Sequence, residues 1–425
     1  MFLTQWLPLA ASALQICHAL PQQIPFSAPL QDLAQRYAGH TLVRLETAQN
    51  GLQSSLQLES LDVWRSYEDA VEVVLPPTLH ASDLGFNATT LLPDLSEAIH
   101  QSLNPSDPAA NTDIHSLYHS LPSLQAIFSM IAADYPHLIN KFSLGQSCEG
   151  RPIDALRLST GPSQTGRPKP QILIVGGQHA REWITVSSAL FLAHTMVTEL
   201  AHPDYTREEV KTLVQAFDFV FVPCLNPDGY EFSWTEDRLW RKSRQTVSDQ
   251  CQGIDLNRNW GHAFTTPQRP NPCLDSWPGS EAFEAVELQG LRDYIQDAAH
   301  HIVGFIDLHS FGQMLLIPWS SDCANTVKDY EDLTEAALGA AKRAEGLYGK
   351  DFEVGQACEV NYVSTGEATD WTYGNAGIKW SFAANLRDLG THGFLIPPDQ
   401  IRPTGEEAME MLLSLGSFIK SKVKV

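Results

Sequence analysis

Three side chains of this sequence could hold one metal ion. His179 and Glu182 stand three apart in the run Ile174-Val175-Gly176-Gly177-Gln178-His179-Ala180-Arg181-Glu182-Trp183, directly after an apolar, strand-like stretch. Side chains at that spacing can converge on one cation where the chain turns over a sheet edge. His309 closes a second apolar run, Gly304-Phe305-Ile306-Asp307-Leu308-His309, and could arrive at the same edge. Two His and one Glu with a fourth position open make a catalytic zinc arrangement, with one ion per chain. Taken alone, a His-x-x-Glu is more simply an exposed polar turn.

The elements that would position these groups read as α/β. Strand-like runs such as Gln171-Ile172-Leu173-Ile174-Val175 and residues 217–222 alternate with helical patterns over Val186–Leu200 and Tyr330–Tyr348. That alternation predicts a mixed, mostly parallel sheet flanked by helices, beginning near Asp113 and running to residue 425. At 425 residues the chain exceeds the ~250–300 residues at which single cores stop growing, so a second unit is expected. Residues 21–112 supply it, as a small α+β domain with strands at Thr41–Leu45 and Val71–Leu75, ending in a Pro-, Asn- and Ser-rich linker, Asn104–Thr112. Residues 1–20 read as a signal peptide, the alternative being a buried N-terminal helix; no other stretch is apolar enough to cross a bilayer.

Seven cysteines become six if Cys17 leaves with the leader, and an even number in an exported protein suggests disulfides. The expected pairs are Cys251 with Cys273 and Cys323 with Cys358. Cys148 is left unplaced, and Cys224, beside the apolar run Phe219–Pro223, is expected as a buried free thiol. The formal net charge of −22 argues against nucleic acid, which needs clustered Lys and Arg, and suits an extracellular or vacuolar fluid. The sequon Asn87-Ala88-Thr89 is compatible with glycosylation on export.

From His115 onward the chain resembles the zinc metallocarboxypeptidases of the carboxypeptidase A type. The resemblance rests on ordered matches: Cys148-Glu149-Gly150-Arg151-Pro152-Ile153, His179 to Ile184, Leu225-Asn226-Pro227-Asp228-Gly229, Arg238-Leu239-Trp240-Arg241-Lys242, Asp255-Leu256-Asn257-Arg258-Asn259-Trp260 and Leu386-Arg387-Asp388. It implies that Asn257 and Arg258 grip the free carboxylate of a peptide C-terminus, a task suited to a guanidinium fork. It implies further that Arg241 steadies the oxyanion of the scissile carbonyl, that Tyr362 caps the terminal residue, that Arg181 belongs to the substrate-binding set and that Asp255 orients His179. Peptide C-termini, or a secreted or wall-associated protein, are the implied partners of a chain expected to act as a monomer.

One departure matters most. The family carries a Glu immediately before Leu-Arg-Asp, the general base of peptide hydrolysis, whereas this chain reads Ala384-Asn385-Leu386-Arg387-Asp388. An amide accepts a hydrogen bond but has no ionised form near neutral pH and cannot shuttle a proton. The loss resembles a fungal branch of secreted, inactive metallocarboxypeptidase-like proteins linked to cell-wall organisation. That branch has often altered the Asn-Arg pair as well, and here Asn257-Arg258 is intact. The alternative is an active carboxypeptidase with Glu367 or Glu359 as substitute proton carrier.

Residues 21–110 occupy the position of the family's inhibitory propeptide, yet no Lys or Arg occurs between Arg65 and Lys141 to admit a trypsin-like protease. The resemblance places Ala357, Ser364, Glu367, Thr369 and Ala383 around the terminal side chain. Thr369 stands where a charge usually selects basic residues, which favours uncharged or polar C-termini, with Glu367 as the residue that could reverse that.

Overall fold

The computed structural model describes residues 30–46, 61–67, 69–103, 113–163, 166, 168–202, 204 and 206–423. The signal-peptide and linker expectations, 1–20 and 104–112, lie outside them.

The N-terminal strands are β1 (Thr41–Glu46), β2 (Asp62–Ser66), β3 (Ala70–Leu75) and β4 (Asn87–Leu92), paired antiparallel in the order β2-β3-β1-β4. Side chains alternate across such a sheet, so each strand feeds two cores. Val43, Leu45, Val71, Val73 and Leu75 fill one. Leu42, Trp64 and Val74 face the other, where they meet Ile99 and, from the larger unit, Leu239, Phe311, Phe394 and Leu395. Asn87 opens the edge strand β4 and is exposed.

The larger sheet is built from β5 (Ile139–Gln146), β6 (Pro152–Leu158), β7 (Gln171–Val175), β8 (Asp218–Val222), β9 (Ile302–His309), β10 (Met314–Ile317), β11 (Glu353–Gln356) and β12 (Trp380–Asn385). Its order is β11-β10-β12-β9-β7-β8-β6-β5. The four central strands β12, β9, β7 and β8 run parallel, while β10 and β6 join them antiparallel. Both faces are covered, as a parallel sheet requires. Ile172, Ile174, Phe219, Phe221, Ile306 and Leu308 pack under the helices Trp183–Ala201, Tyr330–Tyr348 and Ile401–Lys422. On the other face Leu173, Val175, Val220 and Phe305 meet Ile254, Leu256, Trp260 and Leu288.

Contrary to the sequence reading, Trp183–Ala201 is long and apolar enough to cross a membrane, but it is a mostly buried helix of this core. Cys251–Cys273 and Cys323–Cys358 are bonded as expected, Cys148 is also in a disulfide, and Cys224 is a buried free thiol.

Candidate metal and peptide-binding site

The site stands at the carboxyl ends of the central parallel strands, the usual place for ligands in an open α/β sheet. After β7 the chain turns through Gly176 and Gly177 before entering the helix at Trp183. Gly177 has φ +63°, and a Cβ there would come within 2.9 Å of Val186 Cγ2, so the turn needs glycine. The turn delivers His179 and sets Glu182 at the helix N-cap. β9 ends on His309 and β12 on Asn385, and their parallel register places these two residues side by side.

His179, Glu182 and His309 are buried, and one donor atom from each lies within 4.8 Å of the others. Nδ1 of His179 is 2.7 Å from Glu182 Oε1, and Nδ1 of His309 is 3.2 Å from Glu182 Oε2. Each Nε2 faces a carboxylate behind it: Asp255 Oδ1 at 3.0 Å for His179 and Asp307 Oδ2 at 2.9 Å for His309. A ring that donates its Nε2–H backwards presents an Nδ1 lone pair forwards. Two nitrogens and a carboxylate arranged this way fit zinc.

The same contacts shift ionisation towards charged imidazole–carboxylate pairs, in which a metal ion would take the place of the proton on each imidazole. Burial alone would raise Glu182, but His179 and His309 pull it well below the usual carboxylate range. Asp255 is likewise lowered: burial is outweighed by Arg241 and His179. Burial disfavours charge on His309, and the Asp307 and Glu182 carboxylates more than offset this, raising its pKa well above the ordinary value.

The adjoining wall carries the cations. Arg241 donates to Asp255 Oδ2 from Nη2 (3.0 Å) and Nε (3.2 Å), so Asp255 bridges Arg241 and His179. Asn257 and Arg258 lie in the short turn Leu256–Arg258, capped by the Asp255 side chain. Asn257 Oδ1 accepts the Ala368 N–H at 2.9 Å, and Arg258 donates to Tyr362 Oη (2.6 Å) and Glu367 Oε1 (3.1 Å). Asn385 is half-buried; its Nδ2 donates to the Phe311 carbonyl at 3.3 Å.

One cleft is lined by His179, Glu182, His309, Arg241, Asn257, Arg258, Tyr362, Glu367, Ala383 and Asn385, with about 80 Å³ of open space. Of the residues expected to meet a metal, a peptide carbonyl or a terminal carboxylate, it gathers all except Arg181 and Asp255. Asp255 stands behind His179. Arg181, 1% exposed, lies in an adjoining open groove and is engaged by Asp62 Oδ1 of β2 at 2.7 Å. Of the residues expected around a terminal side chain, Glu367 and Ala383 reach the cleft; Ala357 packs beside Ala383, Ser364 donates to Glu367, and Thr369 is buried outside the cleft wall.

Three participants were not foreseen. Asp307 is hidden in an apolar run, although two residues before His309 in a strand means the same face. Trp64 and Arg65 of β2 also line the cleft. Only docking of the N-terminal sheet brings them there, and no local pattern announces it.

Comparison with known proteins places these features in context. The sequence pattern described as zinc carboxypeptidase matches residues 124–411. A relative from Ajellomyces capsulatus, named inactive metallocarboxypeptidase ECM14, is 33% identical, the match covering 94% of this chain and 74% of the relative. Among solved structures, thrombin activatable fibrinolysis inhibitor superposes with a TM-score of 0.80 at 25% identity, covering 91% of this chain and 100% of that one. Carboxypeptidase A from Helicoverpa armigera gives 0.78 at 25% identity, covering 92% and 99%.

Proposed function

Because the chain belongs to the zinc carboxypeptidase family, we propose that it holds one zinc ion and binds peptide C-termini, with hydrolysis retired. The observation carrying this reading is Asn385. It ends β12 beside His309, in the cleft shared with all three metal-binding side chains, and its amide cannot accept a proton near neutral pH. A bound zinc would supply Lewis acidity toward a peptide carbonyl. Around it, Arg258 and Asn257 would take the terminal carboxylate, Arg241 would polarise the carbonyl and Tyr362 would close over the terminal residue.

The competing reading, an active carboxypeptidase with a substitute base, lacks support from the cleft. Its carboxylates are Glu182, facing the imidazoles, and Glu367, engaged by Arg258, Ser320 and Ser364. Glu359 is exposed and not among the cleft residues. The Ajellomyces relative's name calls that protein inactive, which accords with the same reading here.

The N-terminal unit acts as a propeptide that stays in place. Trp64 and Arg65 form part of the cleft wall, and the absence of Lys or Arg from residues 66–140 leaves trypsin-like proteases no site there. The protein is exported, carries a glycan on Asn87 and serves cell-wall organisation through a peptide or protein ligand.

The test is release of C-terminal amino acids from a mixed peptide library, with zinc quantified, before and after limited proteolysis between residues 103 and 113. Zinc-loaded protein with no release is expected. Release abolished by a chelator would overturn the retirement of catalysis.

A further inference from the structure

The outer edge of the N-terminal sheet opens beside the metal cleft. β2 is the end strand in the order β2-β3-β1-β4, and among the described residues its backbone bonds to no element but β3. A free strand edge is a template for another chain, which proteins ordinarily blunt with charge, proline or a covering loop. Here residues 61–66 line an open groove of about 820 Å³ together with Thr265, Leu274, Tyr362 and Val363 of the larger unit. The groove continues into the cleft, since Trp64, Arg65, Arg241, Arg258 and Tyr362 line both. The strand is also shaped and held for this position. Its register to β3 shifts between Val63 and Arg65, which makes a bulge at Trp64. Neighbours in a regular strand point to opposite faces, whereas a bulge re-aims them, and here Trp64 and Arg65 both reach the cleft. Asp62 fastens the strand to the larger unit through Arg181 (Oδ1, 2.7 Å) and steadies Trp64 Nε1 (Oδ2, 2.9 Å). Val63, between them, is exposed. The Arg65 guanidinium lies 4.8 Å from the Tyr67 ring centroid and, among the described residues, enters no ion pair.

Resting on the reading of the cleft as a site for peptide C-termini, we propose that the N-terminal unit is half of that binding site. An extended peptide with its terminal carboxylate in the cleft lies along the groove as a further strand on the free edge of β2. What the two ends of the groove offer identifies this occupant. The cleft end gathers Arg65, Arg241 and Arg258, which suit an anionic terminus. Along the groove β2 offers the unpaired backbone donors and acceptors of a strand, which an extended peptide satisfies whatever its side chains. β2 has five residues, about 17 Å of extended chain, so a ligand of about five or six residues reaches from the cleft along the whole edge. Affinity then comes from the main chain, and it depends on ligand length. The same unit that narrows the cleft supplies the surface that selects an extended chain.

The test uses the full, zinc-loaded chain, titrated calorimetrically with acetylated Ser-Ala repeats of two, four and six residues ending in a free carboxylate. The six-residue amide is the control. Affinity is expected to rise roughly 10- to 100-fold from two residues to six, from two backbone hydrogen bonds at about 3- to 10-fold each. The amide should lose that binding. Methylating one peptide nitrogen at a time along the six-residue ligand should weaken binding at alternate residues, because alternate N–H groups of a strand face the same neighbour. Amide hydrogen exchange in residues 62–66 should slow when the six-residue peptide is bound and stay unchanged with the two-residue one. Affinity that does not grow with length, or that grows without slower exchange in β2, overturns the proposal and leaves the cleft as a terminus site. If none of the peptides binds, or the amide binds as well as the acid, the terminus reading itself falls, and this inference with it.

Discussion

The two halves of the cleft are built to different standards. On the metal side each imidazole has a carboxylate behind it, and Asp255 ties His179 to Arg241. On the side where the resemblance expects proton transfer, Asn385 offers an amide that spends its Nδ2 on the Phe311 carbonyl. Holding a metal and a carboxylate needs fixed charges and donors, whereas hydrolysis also needs a group that changes protonation during the reaction. One amide can therefore remove turnover and leave recognition standing.

The sharpest way to break this comparison is Asn385→Glu. With the N-terminal unit severed, chelator-sensitive release of C-terminal residues should rise by roughly 10²- to 10⁴-fold over the parent protein, the usual worth of general acid-base help. A variant that keeps its zinc and stays inert would show that the metal side is not as complete as its geometry suggests.

The next largest effect concerns the cover. Trp64 is 7% exposed and packs edge-to-face on Phe394 (5.0 Å) and Phe311 (6.2 Å). Trp64→Ala should cost ~3–5 kcal/mol of packing between the units, as large-to-small changes of buried aromatics do. Limited proteolysis should then cut the N-terminal unit faster while zinc content is unchanged. An unaltered cleavage rate would mean that the Arg181–Asp62 pair, not the aromatic cluster, holds the cover down.

These two residues also mark the limits of what the sequence discloses. Gln171–Val175 and Tyr330–Tyr348 are observed with the expected bounds, because a buried strand and a helix each write their period into consecutive residues. The convergence of His179, Glu182 and His309 was legible because a strand end and a turn carry them, and Asn385 stood out as a departure from the resemblance because Leu386-Arg387-Asp388 follows it. Trp64, Arg65 and the Arg181–Asp62 pair were not, since each depends on how one sheet docks against another. Arg181 itself was expected to touch substrate; the structure places it in the open groove, paired with Asp62.

A pH series separates carboxylates that cations pull down from one that burial pushes up. Glu287 is fully buried, accepts the Cys148 N–H at 3.1 Å, and its pKa is raised to about 7 by burial and by nearby Asp228. The folded pKa exceeds the unfolded one, so its contribution is fully present below the unfolded pKa and is lost as pH rises towards 7. Glu182 and Asp255 behave oppositely: lowered in the fold, they stabilise above the unfolded carboxylate pKa and lose that contribution as pH falls. Glu287→Gln should accordingly gain on the order of 1–3 kcal/mol at pH 7.5, with little change near pH 4.5, read from denaturant midpoints. The same gain at both pH values would show that packing, not ionisation, separates the two proteins.

The smallest effect tests whether the metal side owes its order to the groups behind the imidazoles. Asp307, 1% exposed, accepts from Gln178 Nε2 at 2.6 Å and lies 2.9 Å from His309 Nε2, all through Oδ2; its Oδ1 has no partner. Asp307→Asn preserves the shape and removes the charge that orients His309 and sharpens its basicity. Zinc affinity should weaken by ~10- to 100-fold, measured by competition with a chromogenic chelator, while the thermal midpoint of the metal-free protein moves little. If affinity is unchanged, Asp307 serves Gln178 and the strand rather than the metal, and the completeness of that half rests on Asp255 alone. If affinity falls as expected, the retired half of the cleft faces one still maintained down to the residues that never touch the ion.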